Sequence, residues 1–411
     1  MKQGLTKAVI GVMAALAMTN AGAADMPPPA GAKPMRMGFV CPLTGPSADI
    51  GNSARLGVEL AVKEINEVGG FLGRRIEIVA RDDKSSPDEG RKAATELVTT
   101  QKVDFTVGFC NTGVAMKALD VFQDRRQLLM IPVATGSALT DRYPPASSFI
   151  FRMAPSDTIE AALLVDDITK RGFTKVAIFA DRTAYGDGGL RDVEGLLAEH
   201  RLKPAYVARF DVGAKSLLAQ MQEAKAAGAE AIVGYAMGPE FAVMAQSRAD
   251  AKLNAALYGP WTLSLRSVGE QAPQAVEGAI MAQTIVGDMS NERRLSFIMR
   301  LKRHAGAQPI GSLMAAAQSY DAVQMMMRAV FQAKGDVSGE ALKRALENPD
   351  RQYQGVVTTH EAPFSAQDHD AFTRNMVWLG VWRKGEVRFY RTEDQKRAGF
   401  IRRKDSTAWW D

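Results

Sequence analysis

Apolar and polar residues follow two patterns along this chain, and the segment from Gly38 to Gly70 contains both. A short apolar run, Met37–Cys41, ends in a turn rich in Pro, Thr, Gly and Ser. In the longer run that follows, small or apolar residues recur at 57, 61 and 65, and charged residues of alternating sign recur at 55, 59, 63 and 67. This spacing predicts a helix with one buried face and one solvated, ion-paired face. The segment is therefore a strand, a loop and a helix.

The same unit repeats through the rest of the chain. A first series of apolar runs, each followed by a helical pattern, continues at 76–80, 103–109 and 128–132. After a crossing at 149–153, a second series has strands predicted at 176–180, 205–210, 231–235 and 255–259. Strands that alternate with helices form parallel sheets covered by those helices. We therefore predict an α/β fold of two doubly wound parallel-sheet lobes joined by a multi-strand hinge.

The last part of the chain is expected to return to both lobes. Helical patterns at 292–304, 312–333 and 339–346 precede a hairpin around Lys384-Gly385. Each return adds a crossover between the lobes, which is typical of a hinge. The predicted limits are 34–152 with 283–358 for lobe 1, 153–282 with 359–392 for lobe 2, and 393–411 for a C-terminal tail.

Residues 1–24 have the pattern of a cleavable signal peptide. Lys2 and Lys7 precede an apolar core, Ala8–Met18, and the small residues at 21–24 offer a cleavage site. The alternative is an uncleaved membrane anchor, which needs about 20 apolar residues, and this run is shorter. We therefore expect an exported protein.

Charge and cysteine content narrow the function classes. Removal of the two leader lysines lowers the formal net charge from +5 to +3, and the charged residues are interspersed, so we predict no nucleic-acid partner. The chain has only two cysteines, Cys41 and Cys110, which excludes a disulfide-rich scaffold. A basic stretch, 396–404, precedes Trp409 and Trp410. A solvated tail and a docking segment are both open interpretations of it.

Sequence motifs of the common enzyme classes are missing. We find no P-loop, HExxH, CxxC or GxSxG pattern. Asp368-His369-Asp370 could bind a metal or act as a base, but its place in a polar loop before a strand favours turn hydrogen bonding. For Asp82 and Asp83, at the end of a strand, we predict helix capping and loop hydrogen bonds. We therefore expect a protein that is not an enzyme, with no cofactor and no metal.

Small hydroxyl and amide residues collect at the predicted carboxyl ends of the first-lobe strands. They are Thr44, Ser47, Asn111, Thr112, Thr135 and Ser137. Free backbone N–H groups and the dipole at a helix start favour an anion such as a carboxylate. Helix capping is the alternative role for these residues. The equivalent ends in the second lobe carry Tyr185, Tyr235 and Trp261, which form either the opposite wall of a ligand cleft or part of the core.

A series of motifs gives the chain a resemblance to a known family. In order they are PLTGPSADIG (42–51), LGVELAVKEINEVGGFLGRRIEIVARDD (56–83), VGFCNTG (107–113), IPVATGSALTDRYP (131–144), FRMAPSD (151–157), DRTAYGDG (181–188), GPE (238–240), YGPW (258–261) and FSAQDHD (364–370). They span nearly all of the chain that follows the leader. The sequence resembles the leucine/isoleucine/valine-binding branch of ABC-transporter substrate-binding proteins, which have the type I periplasmic-binding fold.

The resemblance implies a periplasmic receptor that serves the import of a small molecule. Such a protein binds its ligand between two lobes, and its closed form docks on an ABC permease in the inner membrane. We expect it to be a monomer. The alternative is a periplasmic sensory protein that reports the ligand to a membrane receptor, because one fold serves several functions.

The family's motifs also imply which residues contact the ligand. The positions that bind the ligand carboxylate in that branch match Asn111 and Thr135, with the backbone of Val133 beside them. On the second lobe the family's aromatic positions match Tyr185 and Met237, so one tyrosine of the family is replaced here. The full predicted set of ligand contacts is Thr44, Ile50, Asn111, Thr112, Val133, Thr135, Tyr185, Tyr235, Met237 and Trp261.

One departure from the family changes the expected ligand. Amino-acid binders of this branch carry an acidic residue where this chain has Trp261, so an α-ammonium group would lose its main partner and would be costly to bury. An indole favours stacking on a flat or apolar ligand body, and a contact with a cationic ligand is the weaker alternative. We predict a carboxylate-bearing or amide ligand, an aromatic or short organic acid in preference to a standard branched-chain amino acid.

The resemblance also leaves one cysteine without its usual partner. The family's small disulfide joins the position of Cys110 to a cysteine at the position of Ser85. Cys41 ends the neighbouring strand, so a bridge between Cys41 and Cys110 is geometrically reasonable in an oxidising compartment. Two free thiols are the other alternative.

Overall fold

A computed structural model describes residues 33–287, 291–398 and 404. The first lobe is built on the parallel strands β1 (Met35–Cys41), β2 (Ile76–Asp82), β3 (Phe105–Gly108), β4 (Leu129–Ile131) and β5 (Ile150–Arg152). They lie in the order β2-β1-β3-β4-β5, so that β1 is an interior strand, as predicted.

The second lobe has a seven-stranded mixed sheet. Its strands are β6 (Val176–Asp181), β7 (Tyr206–Phe210), β8 (Ala231–Tyr235), β9 (Ala256–Gly259), β10 (Ile280–Gln283), β13 (Trp378–Arg383) and β14 (Glu386–Phe389). A two-stranded ribbon, β11 (Tyr353–Gln354) and β12 (Thr359–His360), lies apart from both large sheets. The seven strands lie in the order β14-β13-β10-β9-β8-β6-β7, and β13 with β14 form the predicted late hairpin.

Helices alternate with the strands, as the sequence pattern predicted. They are α1 (Ala48–Glu67), α2 (Pro87–Thr95), α3 (Thr112–Asp124), α4 (Ala138–Asp141), α5 (Asp157–Lys170), α6 (Ala184–Glu199), α7 (Leu218–Ala226), α8 (Pro239–Asp250), α9 (Arg266–Gln271), α10 (Glu292–Ala305), α11 (Leu313–Gln332), α12 (Gly339–Glu347) and α13 (Thr392–Arg397). In this part of the chain no helix is both long and apolar enough to cross a membrane. The two doubly wound lobes confirm the predicted fold class.

The predicted two-faced helix is α1. Its buried face includes Gly57, Ala61 and Ile65, and its exposed face carries the ion pairs Arg55–Glu59 and Lys63–Glu67. The buried face packs on α11, which the chain reaches only after passing through the second lobe. A late segment therefore completes the core of the first lobe.

The helix that follows β2 changes its geometry before it ends. Helix α2 ends at Thr95, and a wider π-helical turn covers Glu96–Thr100. The turn widens because the N–H of Gln101 bonds to the carbonyl of Glu96, five residues back.

The predicted loop hydrogen bonds of the acidic residues are confirmed, but the predicted helix capping by Asp82 and Asp83 is wrong, because Ser86 caps α2. Asp82 accepts hydrogen bonds from the backbone N–H groups of Leu43 and Lys84, and Asp368 accepts one from the N–H of Asp370. The prediction missed that Asp370 also forms an ion pair with the fully buried Arg152 at the end of β5.

His369 was expected in a polar loop, and that expectation is wrong. The ring is buried, stacks on Phe151, and contacts the carbonyl of Ile150 and the carboxylate of Glu347. Residues 369–371 run beside β5, with backbone hydrogen bonds to Arg152 on both sides. This segment braces the region where the chain crosses between the lobes.

Three predictions lie partly or wholly outside this description. The signal peptide at 1–24 is outside the described residues. Of the tail, the structure describes α13 and Lys404, whose ammonium contacts Asp368 at 2.6 Å and the carbonyl of Pro363 at 2.7 Å. The limits of the lobes, 34–152 with 283–358 and 153–282 with 359–392, stay a prediction.

Candidate ligand-binding site

The carboxyl ends of the first-lobe strands bring several of the predicted polar residues together. Asn111 is the residue before α3, and Ser47 is the residue before α1, but neither side chain caps its helix. Instead the Asn111 Nδ2 donates to Ser47 Oγ at 3.1 Å, and Asn111 Oδ1 has no partner among the described residues although the side chain is buried. Capping therefore does not account for these residues.

A disulfide lies directly beneath this wall. Cys41 at the end of β1 and Cys110 just after β3 are bonded, with Cα atoms 5.2 Å apart. Of the two alternatives left open by the sequence, the structure has the bridge. It fixes the strand end that precedes Asn111 against the loop that leads to Ser47.

The second lobe supplies an aromatic wall. Tyr185 lies in the first turn of α6, Tyr235 ends β8, and Trp261 follows β9. The two tyrosine rings have centroids 5.5 Å apart, and the Tyr185 hydroxyl lies 3.4 Å from Thr262 Oγ1. All three aromatic side chains are buried.

The two walls touch, so the lobes are closed on each other. The indole Nε1 of Trp261 donates to Thr135 Oγ1 at 3.5 Å, and Asn111 Nδ2 lies 3.8 Å from the sulfur of Met237. This contact surface, which we call the seam, therefore joins four of the predicted ligand contacts in two pairs.

The other predicted contacts differ in their burial and in their hydrogen-bond partners. Val133 is buried on the first-lobe side, and Thr112 Oγ1 accepts the N–H of Gly136 there. Ile50 is buried within α1. Thr44 is exposed and donates to Asp82 at 2.6 Å, and its role as a ligand contact stays a prediction. Ser47, three residues later in the same loop, is the residue of this loop that contacts the Asn111 side chain.

Two buried acids at the start of α5 were not among the predicted contacts. Asp157 and Glu160 have no exposed surface. The Glu160 Oε2 accepts the backbone N–H of Trp261 at 3.0 Å, and the backbone N–H of Asp157 donates to the carbonyl of Thr135 at 2.8 Å. Both residues therefore lie at the seam.

Burial makes these carboxylates electrostatically unusual. It raises the pKa of Asp157 to about 7, although the nearby Thr135 hydroxyl acts in the opposite direction. It raises the pKa of Glu160 well above the ordinary range, and the charge of Asp157 adds to this, while the N–H of Trp261 opposes it. Burial is also the main cause that raises the pKa of Tyr185, and the charges of Asp157 and Glu160 add to it. The Tyr185 side chain therefore stays a neutral phenol. The seam thus holds acidic groups that are expensive to ionise.

A sequence signal for these acids was available. Asp157, Glu160 and the buried Leu164 recur at i, i+3 and i+7, which places both acids on the buried face of the helix. Glu160 is also one position beyond the place where an acidic residue completes a capping box with Ser156. An acidic residue on a buried helix face that does not cap the helix indicates a carboxylate with a raised pKa.

Other candidate sites in the described residues have less support as ligand-binding sites. An open pocket of about 870 Å³ on the second lobe is lined by both Arg248 and Lys252 and by Glu230 and Glu277, so its charges select no single ligand, and none of the predicted contacts lines it. The described residues contain no cluster of three or more His, Cys, Asp or Glu side chains arranged to bind a metal.

Comparison with known proteins places the chain in a family. The model of the periplasmic binding protein family matches residues 34–386. A Leu/Ile/Val-binding protein homolog of Brucella melitensis is 31% identical over 229 residues, which cover 56% of this chain and 61% of that protein, less than two thirds of its length. A second homolog, from Brucella abortus, is 27% identical over 351 residues, covering 85% of this chain and 91% of that protein.

Solved structures share the fold. A solute-binding protein of an ABC transporter from R. palustris, in complex with benzoate, superposes with a TM-score of 0.77 at 20% identity, covering 87% of this chain and 95% of that one. Since the family model covers most of the sequence, the chain belongs to the periplasmic binding protein family.

Proposed function

We propose that this protein is the periplasmic receptor of an ABC importer and that it binds a small carboxylate-bearing or amide ligand at the seam. Family membership implies a periplasmic binding protein of ABC-type transport. The observation that carries the site is the contact of two unlike walls, the polar wall of Asn111 and Thr135 and the aromatic wall of Tyr185 and Trp261.

The polar wall suits the acidic or amide end of a ligand. Helix α3 begins at Thr112 without a side-chain cap, so its first N–H groups and positive dipole end are available to an anion. Asn111 and Thr135 add a side-chain amide and a hydroxyl beside it. This wall can bind an oxygen-rich group without a charged partner.

The aromatic wall suits a flat or apolar body. An indole at position 261 stacks on such a body, whereas it supplies no charge to an ammonium group. The relatives named above bind leucine-type amino acids or benzoate according to their names, and both kinds of ligand combine a carboxylate with an apolar body. For this chain we favour an aromatic or short organic acid, or an amide, over a standard branched-chain amino acid.

Transport would follow from closure. A ligand shifts the lobes toward the closed form only as far as it binds that form more tightly than the open one. The closed protein, acting as a monomer, would then dock on a permease in the inner membrane. A strain lacking the protein should lose uptake of the ligand, and restored uptake requires the intact seam.

Ligand screening by thermal shift, followed by calorimetry, tests this proposal. The panel contains benzoate, short aliphatic acids and their amides on one side and leucine and valine on the other, and native mass spectrometry of the purified protein searches for a retained molecule. We expect acids or amides to bind, and Asn111→Ala or Thr135→Ala to weaken binding roughly tenfold or more. Thr100→Ala, on the exposed surface, is the matched control.

Two results would contradict the proposal in different ways. Tight binding of leucine or valine with indifference to acids and amides overturns the ligand class. Failure of every compound, together with no retained molecule, overturns the assignment of the seam as a carboxylate or amide site.

A further inference from the structure

A second cavity, which we call the basic cavity, lies at the end of α5 that is far from the seam. It is open to solvent and has a volume of about 600 Å³, and basic side chains outnumber acidic ones by four to two in its lining. The basic residues are Lys170, Arg171, Arg383 and Arg391, and the acidic ones are Asp167 and Glu393. Because α5 has 14 residues and begins at the seam, about 20 Å of helix separates the two places. A ligand of the basic cavity would therefore not contact the seam.

The buried acid of the basic cavity is already paired within the protein. The Asp167 side chain is only 3% exposed, and both of its oxygens accept hydrogen bonds. Its Oδ1 accepts from Nη2 of Arg391, and its Oδ2 accepts from the hydroxyl of Tyr258 at 2.9 Å. The charge of Asp167 is balanced by Arg391, so three basic side chains and the exposed Glu393 set the remaining charge of the cavity. That remaining charge is positive and favours an anion.

The same acid fixes two guanidinium groups at the cavity. Burial, and then the charge of Asp167, raises the pKa of Tyr258, so the phenol keeps its proton and donates it to Asp167. The Tyr258 oxygen in turn accepts from Nη1 of Arg171 at 2.6 Å. Arg171 and Arg391 are thus joined through two buried side chains, and each uses one of its five N–H groups in this network. Their other N–H groups have no hydrogen-bond partner among the described residues and can bind an oxyanion.

The end of α5 accounts for only half of these basic side chains. Basic residues are common at the negative end of a helix dipole, where Lys170 and Arg171 lie. Three carbonyl groups in the last turn of α5 already accept backbone N–H groups of the next residues, so they need no side chain. Arg383 ends β13, and Arg391 lies just before α13, so both come from other elements. The Arg383 side chain is exposed and forms no hydrogen bond or ion pair with the described residues.

We infer that the basic cavity is a second ligand site, separate from the seam, and that it binds a phosphoryl group. The planar fork of a guanidinium matches two oxygens of such a group and binds them with charge-assisted hydrogen bonds. Arg171 and Arg391 are held for this contact by buried partners, and Arg383 adds a charge that has no counterion among the described residues. A free phosphate compound and the headgroup of an anionic phospholipid both offer this chemistry, and the open cavity admits either.

Two binding measurements test this site and distinguish the two sources. Calorimetry with inorganic phosphate and pyrophosphate, at about 50 mM salt to limit screening, measures the Kd of a free compound. Co-sedimentation with vesicles of phosphatidylglycerol and phosphatidylcholine, against phosphatidylcholine alone, measures binding to a headgroup. The variants are Arg383→Gln and Arg391→Lys. Arg388→Gln is the matched control, because Arg388 is an exposed residue of the same hairpin, pairs with Glu386 at 2.8 Å and does not line the cavity. Asn111→Ala reports on the seam.

We expect the wild type to bind pyrophosphate, the anionic vesicles or both, and Arg383→Gln to weaken that binding roughly tenfold. Arg391→Lys keeps a positive charge beside Asp167 but loses the planar fork, so it should weaken binding about threefold or more. Arg388→Gln and Asn111→Ala should both stay within about twofold of the wild type. Binding of pyrophosphate without the vesicles identifies a free phosphate compound, and binding of the vesicles without pyrophosphate identifies a lipid headgroup.

Three results would overturn the phosphoryl site. The first is a wild type that binds neither phosphate compound nor the anionic vesicles. The second is equal binding by Arg383→Gln and Arg388→Gln, because the affinity would then reflect net charge alone. The third is a loss in Asn111→Ala as large as that in Arg383→Gln, which would assign the anion to the seam. None of these results decides the proposed function, which the panel of acids and amides tests separately.

Discussion

At the scale of single residues, Arg152 organises the region beneath the seam. It is buried to within 1% of its surface and donates to the carbonyls of Thr135 and Gly136, which fixes the loop that carries the proposed carboxylate contact. Its charge is balanced by Asp370, which arrives from near the end of the chain. The loop that carries the proposed contact therefore depends on a residue more than two hundred positions away.

Replacement of Asp370 by Asn should expose this dependence. Loss of one partner of a buried ion pair costs roughly 3–5 kcal/mol. The Asp370 side chain is 23% exposed, so we expect a smaller loss, about 2 kcal/mol in the free energy of unfolding. Urea unfolding measures this. Asp368→Asn, whose side chain is 46% exposed, should change stability by less than about 0.5 kcal/mol. If both variants were as stable as the wild type, the ion pair between Arg152 and Asp370 would not hold the Thr135 loop in place.

At the scale of elements, the close packing of α1 on α11 holds the first lobe together. A Cβ placed on Gly57 would come within 2.0 Å of the carbonyl oxygen of Ala316, so the two helices approach where only glycine fits. Backbone atoms cannot move aside as a flexible side chain can. This contact joins a helix that precedes the second lobe in the sequence to a helix that follows it.

Gly57→Ala should therefore be strongly destabilising despite the better helix propensity of alanine. Overpacking typically costs about 1–3 kcal/mol, and propensity returns at most about 1 kcal/mol. Gly195 in α6 is the matched control, because a Cβ there would contact nothing within 4 Å. Thermal unfolding should show a lower midpoint for Gly57→Ala and an equal or higher one for Gly195→Ala. A neutral Gly57→Ala would mean that α1 and α11 can separate freely.

The helices also show which features of the fold the sequence predicts and which it does not. The periodicity of α1 predicted its buried and charged faces because these depend on residues within the same helix. Its partner α11 was not predictable from periodicity, since that contact depends on how the chain returns. In the same way, the spacing of Asp157 and Glu160 indicated burial, but the hydrogen bond of Glu160 with the backbone of Trp261 arises only when folding brings the two elements together. Thr44 was predicted at the site from its position in a loop, and its hydrogen bond to Asp82 is a contact that the loop position alone did not indicate.

At the scale of the whole molecule, the seam sets the balance between open and closed forms. Contacts across it include Trp261 with Thr135 and Asn111 with Met237, and Ser137 Oγ donates to Asp192 Oδ2 at 2.8 Å. Asp157 and Glu160 are buried in this closed form, which opposes these contacts whenever the acids are charged. Ligand and pH should therefore act on the same equilibrium.

Without added ligand, the protein should open as the pH rises. The pKa of Asp157 is about 7 in the closed form, against 3.8 ordinarily, so closure is least hindered below about pH 4 and loses up to about 4 kcal/mol as the pH rises past 7. Glu160 adds in the same direction. The groups that face them do not reverse this sign: Tyr185 and Tyr235 stay neutral, Asp192 is acidic, and Arg152 is committed.

Small-angle X-ray scattering measures this opening directly. We expect the radius of gyration of the wild type to increase between about pH 5 and about pH 8, and that of the Asp157→Asn, Glu160→Gln double variant to stay at its low-pH value. Glu194→Gln, which replaces an exposed acid of α6, is the matched control and should behave as the wild type does. A ligand that binds the closed form more tightly than the open form should reduce the increase in the wild type. A wild-type radius that is independent of pH would contradict this prediction. It would mean that the charges of Asp157 and Glu160 do not affect the equilibrium between the closed and open forms.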